Sequence, residues 1–222
     1  MSPPSPKQAV LIDILSRATV IPVLTIEDPA AAVPLAIALR DGGLPVIEVT
    51  LRTTAAFEAL RRITGEVEGI VAGAGTVLEA EQISGAMACG AAFLVSPGAT
   101  PRLLDAAEDA RVPMLPGAAT ASEAMHLYER GFSRMKFFPA EAAGGIAYLK
   151  ALAAPLPELG FCPTGGITLA NAPDYLALAN VACVGSSWVA PAARIEAGDW
   201  AAVTALAREA AALRRPALVP AG

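Results

Sequence analysis

Residues 44–63 read LPVIEVTLRTTAAFEALRRI. A β-branched run at 46–50 gives way to the polar Thr50 and Arg52, and an Ala-rich amphipathic stretch at 54–63 follows. Period-two alternation passing into helical period is the signature of a strand feeding a helix. The same unit recurs along the chain. Strands are predicted at 20–25, 46–50, 70–75, 93–96, 114–116, 134–138, 161–164 and 181–185. Helices are predicted at 30–41, 54–63, 79–89, 101–109, 121–130, 146–153 and 169–177. Asp41-Gly42-Gly43 and Arg130-Gly131 read as helix stops, and Thr120 with Glu123 has the spacing of a capping box. Strand ends fall roughly 20–26 residues apart, so eight units fill nearly all of the chain. Alternation of this kind also suits an open, doubly wound sheet. The count of eight favours a barrel. So do the polar residues, which recur at the C-terminal ends of many strands rather than at one switch point. The expected fold is α/β: a single (β/α)8 TIM barrel over about 18–213, one domain across 1–222, with an extra N-terminal helix at 8–17 and a loosely ordered tail at 214–222.

Composition agrees. Of 222 residues, 55% are apolar and only 17% are charged, as parallel strands buried on both faces require. The net charge of −5 argues against a nucleic-acid partner, which would call for a basic face. The uncharged stretch 175–193 contains Asn180, Ser186, Ser187 and Pro191 and reads as strand-turn-helix, so no membrane partner is expected. The opening MSPPSPKQAV lacks the apolar core of a signal peptide, and a cytoplasmic location is expected. Cys89, Cys162 and Cys183 have no CxxC spacing and lie in apolar segments, as buried reduced thiols do. His126 is the single histidine, so no two-histidine metal site is possible. It lies in ASEAMHLYERG, an amphipathic helix, and reads as a surface residue. No metal is expected.

Lysine is scarce. Only Lys7, Lys136 and Lys150 occur among sixteen Lys and Arg residues. Lys7 is near the terminus and Lys150 reads as a solvated helix residue. Lys136 instead interrupts an apolar strand, RMKFF, where it shares a face with Phe138 and opposes Met135 and Phe137. A lysine on an interior face is costly unless paired or neutral, and the neutral amine is the form that attacks a ketone. Glu48 likewise interrupts VIEVT, on one face with Val46 and Thr50. It is the natural partner of Lys136 across a barrel. The two read either as a structural ion pair or as a nucleophile with its proton shuttle. Arg52, at the strand's C-terminal end, suits bidentate binding of a carboxylate, and a surface arginine is the competing reading. Thr164-Gly165-Gly166 and Gly185-Ser186-Ser187 close strands seven and eight, where barrels often bind phosphate through backbone N–H groups.

PVIEVTLRT, GAGTVL, SPG, KFFPAE, FCPTGGI and the GSSW segment, in this order from about Val20 to Arg208, resemble the 2-keto-3-deoxy-6-phosphogluconate (KDPG) aldolases, many of which also act on 4-hydroxy-2-oxoglutarate. The resemblance implies a class I lyase without cofactor or metal, a homotrimer acting on a small 2-oxo acid phosphate. It implies that Lys136 forms the imine and that Glu48 transfers protons. Arg52 and Thr76 would hold the pyruvyl carboxylate. Thr164 would contact the hydroxyl side of the substrate, and Pro97 and Phe138 would wall the pocket. Gly165, Gly166, Gly185 and Ser187 would line the phosphate site. The family commonly has Gly-Gly-Ser-Trp after strand eight, whereas this chain has Gly185-Ser186-Ser187-Trp188. Ser186 would therefore crowd the phosphate or add a donor. Three rivals stand beside this reading: a galactonate-derived substrate, a phosphate-binding barrel isomerase using Glu48 alone, and a non-catalytic sugar-phosphate binder.

Overall fold

The computed structural model describes residues 5–213. The tail expected at 214–222 lies outside the described residues. Among them are nine short strands, with helices between all but β5 and β6: β1 (Val20–Leu24), β2 (Val46–Thr50), β3 (Val71–Gly75), β4 (Leu94–Val95), β5 (Met114–Leu115), β6 (Gly117–Ala118), β7 (Arg134–Phe137), β8 (Gly160–Pro163) and β9 (Val184–Ser186). Every pairing is parallel. A curled six-stranded sheet runs in the order β5-β4-β3-β2-β1-β9, and a three-stranded sheet in the order β6-β7-β8. Two isolated parallel bridges lie between the sheets, from Phe161 of β8 to Val181 just before β9 and from Thr164 just after β8 to Gly185 of β9.

One sheet of eight strands was expected, and the structure has six and three. The break falls at Pro116. A proline has no N–H to give to a ladder, so the strand expected at 114–116 becomes β5 and β6 on either side of it. The Pro116 carbonyl still serves, accepting from the N–H of Lys136 at 2.9 Å.

The two faces of the strands feed two apolar clusters. Ile47, Val49, Met135, Phe137, Phe161 and Val184 point outward against the helices. Ile21, Val46, Phe93, Val95, Leu115, Cys162 and Cys183 point inward, and they come from both sheets. Helix α1 (Pro6–Ser16) adds Leu11, Ile14 and Leu15 to that inner cluster and so covers the N-terminal end of the strands. It begins two residues before the expected 8–17 because Ser5 accepts the Gln8 N–H as N-cap and Pro6 suits the first turn. Gln8 is buried, and its Oε1 accepts from the Ser133 N–H at 3.0 Å and the Arg134 N–H at 3.2 Å, which docks α1 beneath β7.

The outer helices are α2 (Ala32–Asp41), α3 (Ala56–Glu66), α4 (Ala80–Ala88), α5 (Pro101–Asp109), α6 (Ala121–Glu129), α7 (Gly145–Ala153), α8 (Ala172–Leu176), α9 (Ala192–Glu196) and α10 (Trp200–Ala212). The capping box at Thr120 and Glu123 is present. Helices α9 and α10 follow the last strand and had no counterpart in the sequence reading. Helix α10 packs on α2 at Gly42, where an added Cβ would lie 2.3 Å from the Ala207 Cβ. Gly42 is therefore a contact point, and the left-handed turn that stops α2 falls at Gly43, with φ +92°.

Candidate active site

Strand β2 climbs from the inner apolar cluster to the C-terminal rim. Val46, Glu48 and Thr50 alternate up its inner face, since successive residues of a strand point to opposite sides. Lys136 occupies the inner face of β7, opposite Gly117 of β6 and Cys162 of β8. The two charged side chains meet. Lys136 Nζ donates to Glu48 Oε1 at 3.2 Å, and the residues are only 2% and 3% exposed. Gly75 makes room for this. A Cβ there would fall 2.1 Å from Glu48 Oε1, so the glycine ending GAG is what lets the carboxylate lie across β3.

A cleft of about 240 Å³ opens at the C-terminal ends of the strands. Arg52, Phe138, Thr164, Gly165, Gly166, Gly185, Ser186 and Ser187 line it, joined by Val23, Thr25 and Ile167. Eight of the twelve anticipated residues thus share one cavity. The other four stand just behind it. Lys136 Nζ lies 5.3 Å from the centre of the Phe138 ring, within cation–π range, with Glu48 beside it. Thr76 accepts from Arg52 Nε at 3.0 Å. Its φ of +55° is unusual for a β-branched residue and marks a strained rim. Pro97 abuts Gly117, where an added Cβ would stand 2.2 Å from the Pro97 carbonyl. It thus flanks the residue that pairs with Lys136. Two surface clefts are larger, at about 310 and 380 Å³, but neither is lined by any of the twelve anticipated residues.

Two serines part company. Ser187 is exposed at the cleft. Ser186 is buried, donates through Oγ to the Ile167 carbonyl at 2.8 Å and accepts the Trp188 N–H at 3.4 Å. Its hydroxyl ties the loops after β8 and β9 together, so its proton is already committed to a carbonyl while the residue still lines the cleft. Thr50, expected only to share a face with Glu48, has bonds of its own. It is fully buried, donates to the Leu24 carbonyl at 2.8 Å and pairs with Thr25 at 3.2 Å. Its place two residues beyond Glu48 on one face was the available signal.

His126 is an exposed residue of α6. Cys89, Cys162 and Cys183 form no disulfide. Among the described residues no group of three or more His, Cys, Asp or Glu is placed to hold a metal ion. Among them, too, no helix is long and apolar enough to cross a membrane.

The family model for KDPG and KHG aldolases matches residues 11–206. The chain belongs to this aldolase family. A relative from Pseudomonas aeruginosa, named 2-dehydro-3-deoxy-phosphogluconate aldolase, is 50% identical over 200 residues, covering 90% of this chain and 91% of its own. Two solved aldolases share the fold. A KDPG aldolase from Legionella pneumophila, with pyruvate captured as a covalent carbinolamine, superposes with a TM-score of 0.89 at 43% identity, covering 90% of this chain and 98% of its own. The Zymomonas mobilis enzyme with 3-phosphoglycerate superposes at 0.88 with 48% identity, covering 94% and 98%.

Proposed function

We propose that this chain cleaves 2-dehydro-3-deoxy-6-phosphogluconate to pyruvate and glyceraldehyde 3-phosphate through an imine on Lys136. The observation that carries the reading is the buried Lys136–Glu48 pair beneath a cleft with glycine-rich loops. Isolated inside an apolar cluster, such a pair is a poor source of stability, which favours a chemical role. Lys136, its ammonium proton passed to Glu48, attacks C2, and the carbinolamine loses water to give an iminium. Glu48, through a water, carries the protons of this step. Deprotonation of the C4 hydroxyl breaks C3–C4, and the bonding pair moves into the iminium to leave an enamine as glyceraldehyde 3-phosphate departs. Protonation at C3 and hydrolysis return pyruvate and Lys136.

Arg52 and Thr76 hold the pyruvyl carboxylate, since the guanidinium reaches from the rim with its Thr76 bond already made. Phe138 and Pro97 wall the reacting carbons, and Thr164 faces the substrate hydroxyls. The phosphate lies on the Gly165, Gly166, Gly185 and Ser187 side of the cleft. Ser186 contributes by bracing that side. The imine supplies the electron sink, so the reaction needs no metal or other cofactor. The same pocket accepts 4-hydroxy-2-oxoglutarate, giving pyruvate and glyoxylate, because the pyruvyl end is common to both.

We further infer that the two sheets are halves of one closed (β/α)8 barrel and one domain. The bridges between the sheets, the short gap at Pro116 and the shared inner cluster support this. The protein acts in the cytoplasm as a homotrimer, and light scattering at three times 22.5 kDa would agree. The function is tested by kcat/KM for the phosphorylated six-carbon acid, its C4 epimer and 4-hydroxy-2-oxoglutarate, each with and without EDTA. The gluconate-derived acid should be cleaved best, with no EDTA effect. Preference for the epimer would reassign the substrate, and strong EDTA inhibition would point to a metal-dependent aldolase.

A further inference from the structure

Three successive carbonyls of the turn after β8 are held from outside the cleft. The Thr164 carbonyl accepts from the Ala140 N–H at 2.8 Å, and the Gly165 carbonyl accepts from the Glu141 N–H at 3.1 Å. Asn171 Nδ2 donates to the Gly166 carbonyl at 3.1 Å. In a planar trans peptide each carbonyl opposes the N–H of the next residue. The N–H groups of Gly165, Gly166 and Ile167 therefore turn away from these partners, toward the cleft those residues line. Consecutive N–H groups facing one way suit an anion.

Glu141 is the hub of this arrangement and has no part in the reaction above. Its backbone holds Gly165, and its side chain lies under Gly166, where an added Cβ would stand 2.5 Å from Glu141 Cγ. The φ of Gly166, +81°, belongs to the left-handed region. At its far end the Glu141 carboxylate accepts the hydroxyl of Tyr175, whose side chain is wholly buried in α8. Gly145 leaves space for that contact, since a Cβ there would be 3.0 Å from the Tyr175 hydroxyl. Burial foremost, then the Glu141 carboxylate, holds the Tyr175 hydroxyl far above the usual tyrosine range, so it stays a donor across neutral pH. Glu141 also lies just past Phe138-Pro139-Ala140 after β7, so one short segment links the imine lysine's strand to the anion-facing turn.

We propose that the Glu141–Tyr175 hydrogen bond positions the Gly165–Gly166 amides and thereby sets the preference for substrates with a phosphate at the far end. This rests on the aldolase reading above. The two residues are positioning residues, since neither reaches the reacting carbons.

The test compares KM and kcat for the phosphorylated acid and for the same acid lacking its phosphate. Tyr175→Phe removes only the hydroxyl, Glu141→Ala removes the acceptor, and Glu141→Gln keeps one. Tyr175→Phe and Glu141→Ala should raise KM for the phosphorylated acid about tenfold, the worth of one hydrogen bond to a charged group. Their kinetics with the unphosphorylated acid should stay near the parent's, and Glu141→Gln should restore most of the loss. Inhibition by inorganic phosphate should weaken in parallel with KM. Equal changes for both acids, or none for either, would overturn the proposal. Borohydride trapping of pyruvate separates this from the parent reading. Parent enzyme that traps no pyruvate would overturn the imine mechanism itself, whereas intact trapping with an unmoved KM overturns only the positioning role.

Discussion

Removing one member of the Lys136–Glu48 pair should cost far more stability than removing both. The charges sit 3.2 Å apart and almost wholly out of water. At an effective dielectric constant of about 20, two unit charges at that separation attract by about 5 kcal/mol. Desolvation costs several kcal/mol for each ion, so the pair contributes little on balance. A single loss is another matter, because it strands the remaining charge. Lys136→Met and Glu48→Leu should each destabilise the fold by about 3–5 kcal/mol, while the double variant should come within about 1 kcal/mol of the parent or exceed it. All three should be inactive in cleavage. Urea unfolding followed by circular dichroism gives the three differences. A double variant as unstable as the sum of the singles would refute the reasoning, and so would single variants that cost no more than a surface change of about 0.5 kcal/mol.

Other outcomes follow from local geometry. Gly75→Ala should abolish most activity while the fold survives, because the new methyl takes the place of Glu48 Oε1; unchanged kcat would contradict the assigned position of that carboxylate. Lys7 Nζ donates to the carbonyls of Ala107 and Ala110, both at 3.1 Å, and of Glu108, at the C-terminal end of α5. Lys7→Met should lower stability by about 1 kcal/mol in urea unfolding and leave kcat unchanged. The Ala119 N–H first, then Thr120, hold the Glu123 carboxyl below its usual range. Its folded value is depressed, so its stabilising contribution is present above the unfolded value and is lost as pH falls through the folded one. Glu123 is exposed and solvent screens its charge, so Glu123→Gln should cost no more than about 0.5 kcal/mol at neutral pH, shrinking toward acid. A penalty independent of pH would show that the charge does not matter.

Some of this was legible in the sequence because it is carried by local pattern. Val46–Thr50 has the observed bounds because alternation and the flanking Pro45 mark them. Glu48 and Lys136 stood out because a charged residue on an apolar strand has few bland explanations. What stayed hidden depends on partners distant in sequence. The hydroxyls of Thr50 and Ser186 bond carbonyls 26 and 19 residues away, and Tyr175 reaches Glu141 across 34. No window of sequence contains both ends of such bonds. Helix α10 is Ala-rich like several loops, and its packing on Gly42 sets it in place. The split at Pro116 is legible in the sequence, since a proline cannot donate within a ladder.

The central claim is that Lys136 is the imine-forming residue. Incubation with pyruvate and borohydride, followed by digestion and mass mapping of the peptides, tests it most directly. The expected result is one reduced pyruvyl adduct, on Lys136, absent when borohydride is omitted. An adduct on Lys7 or Lys150 instead, or none at all in an enzyme that still cleaves its substrate, would contradict the account.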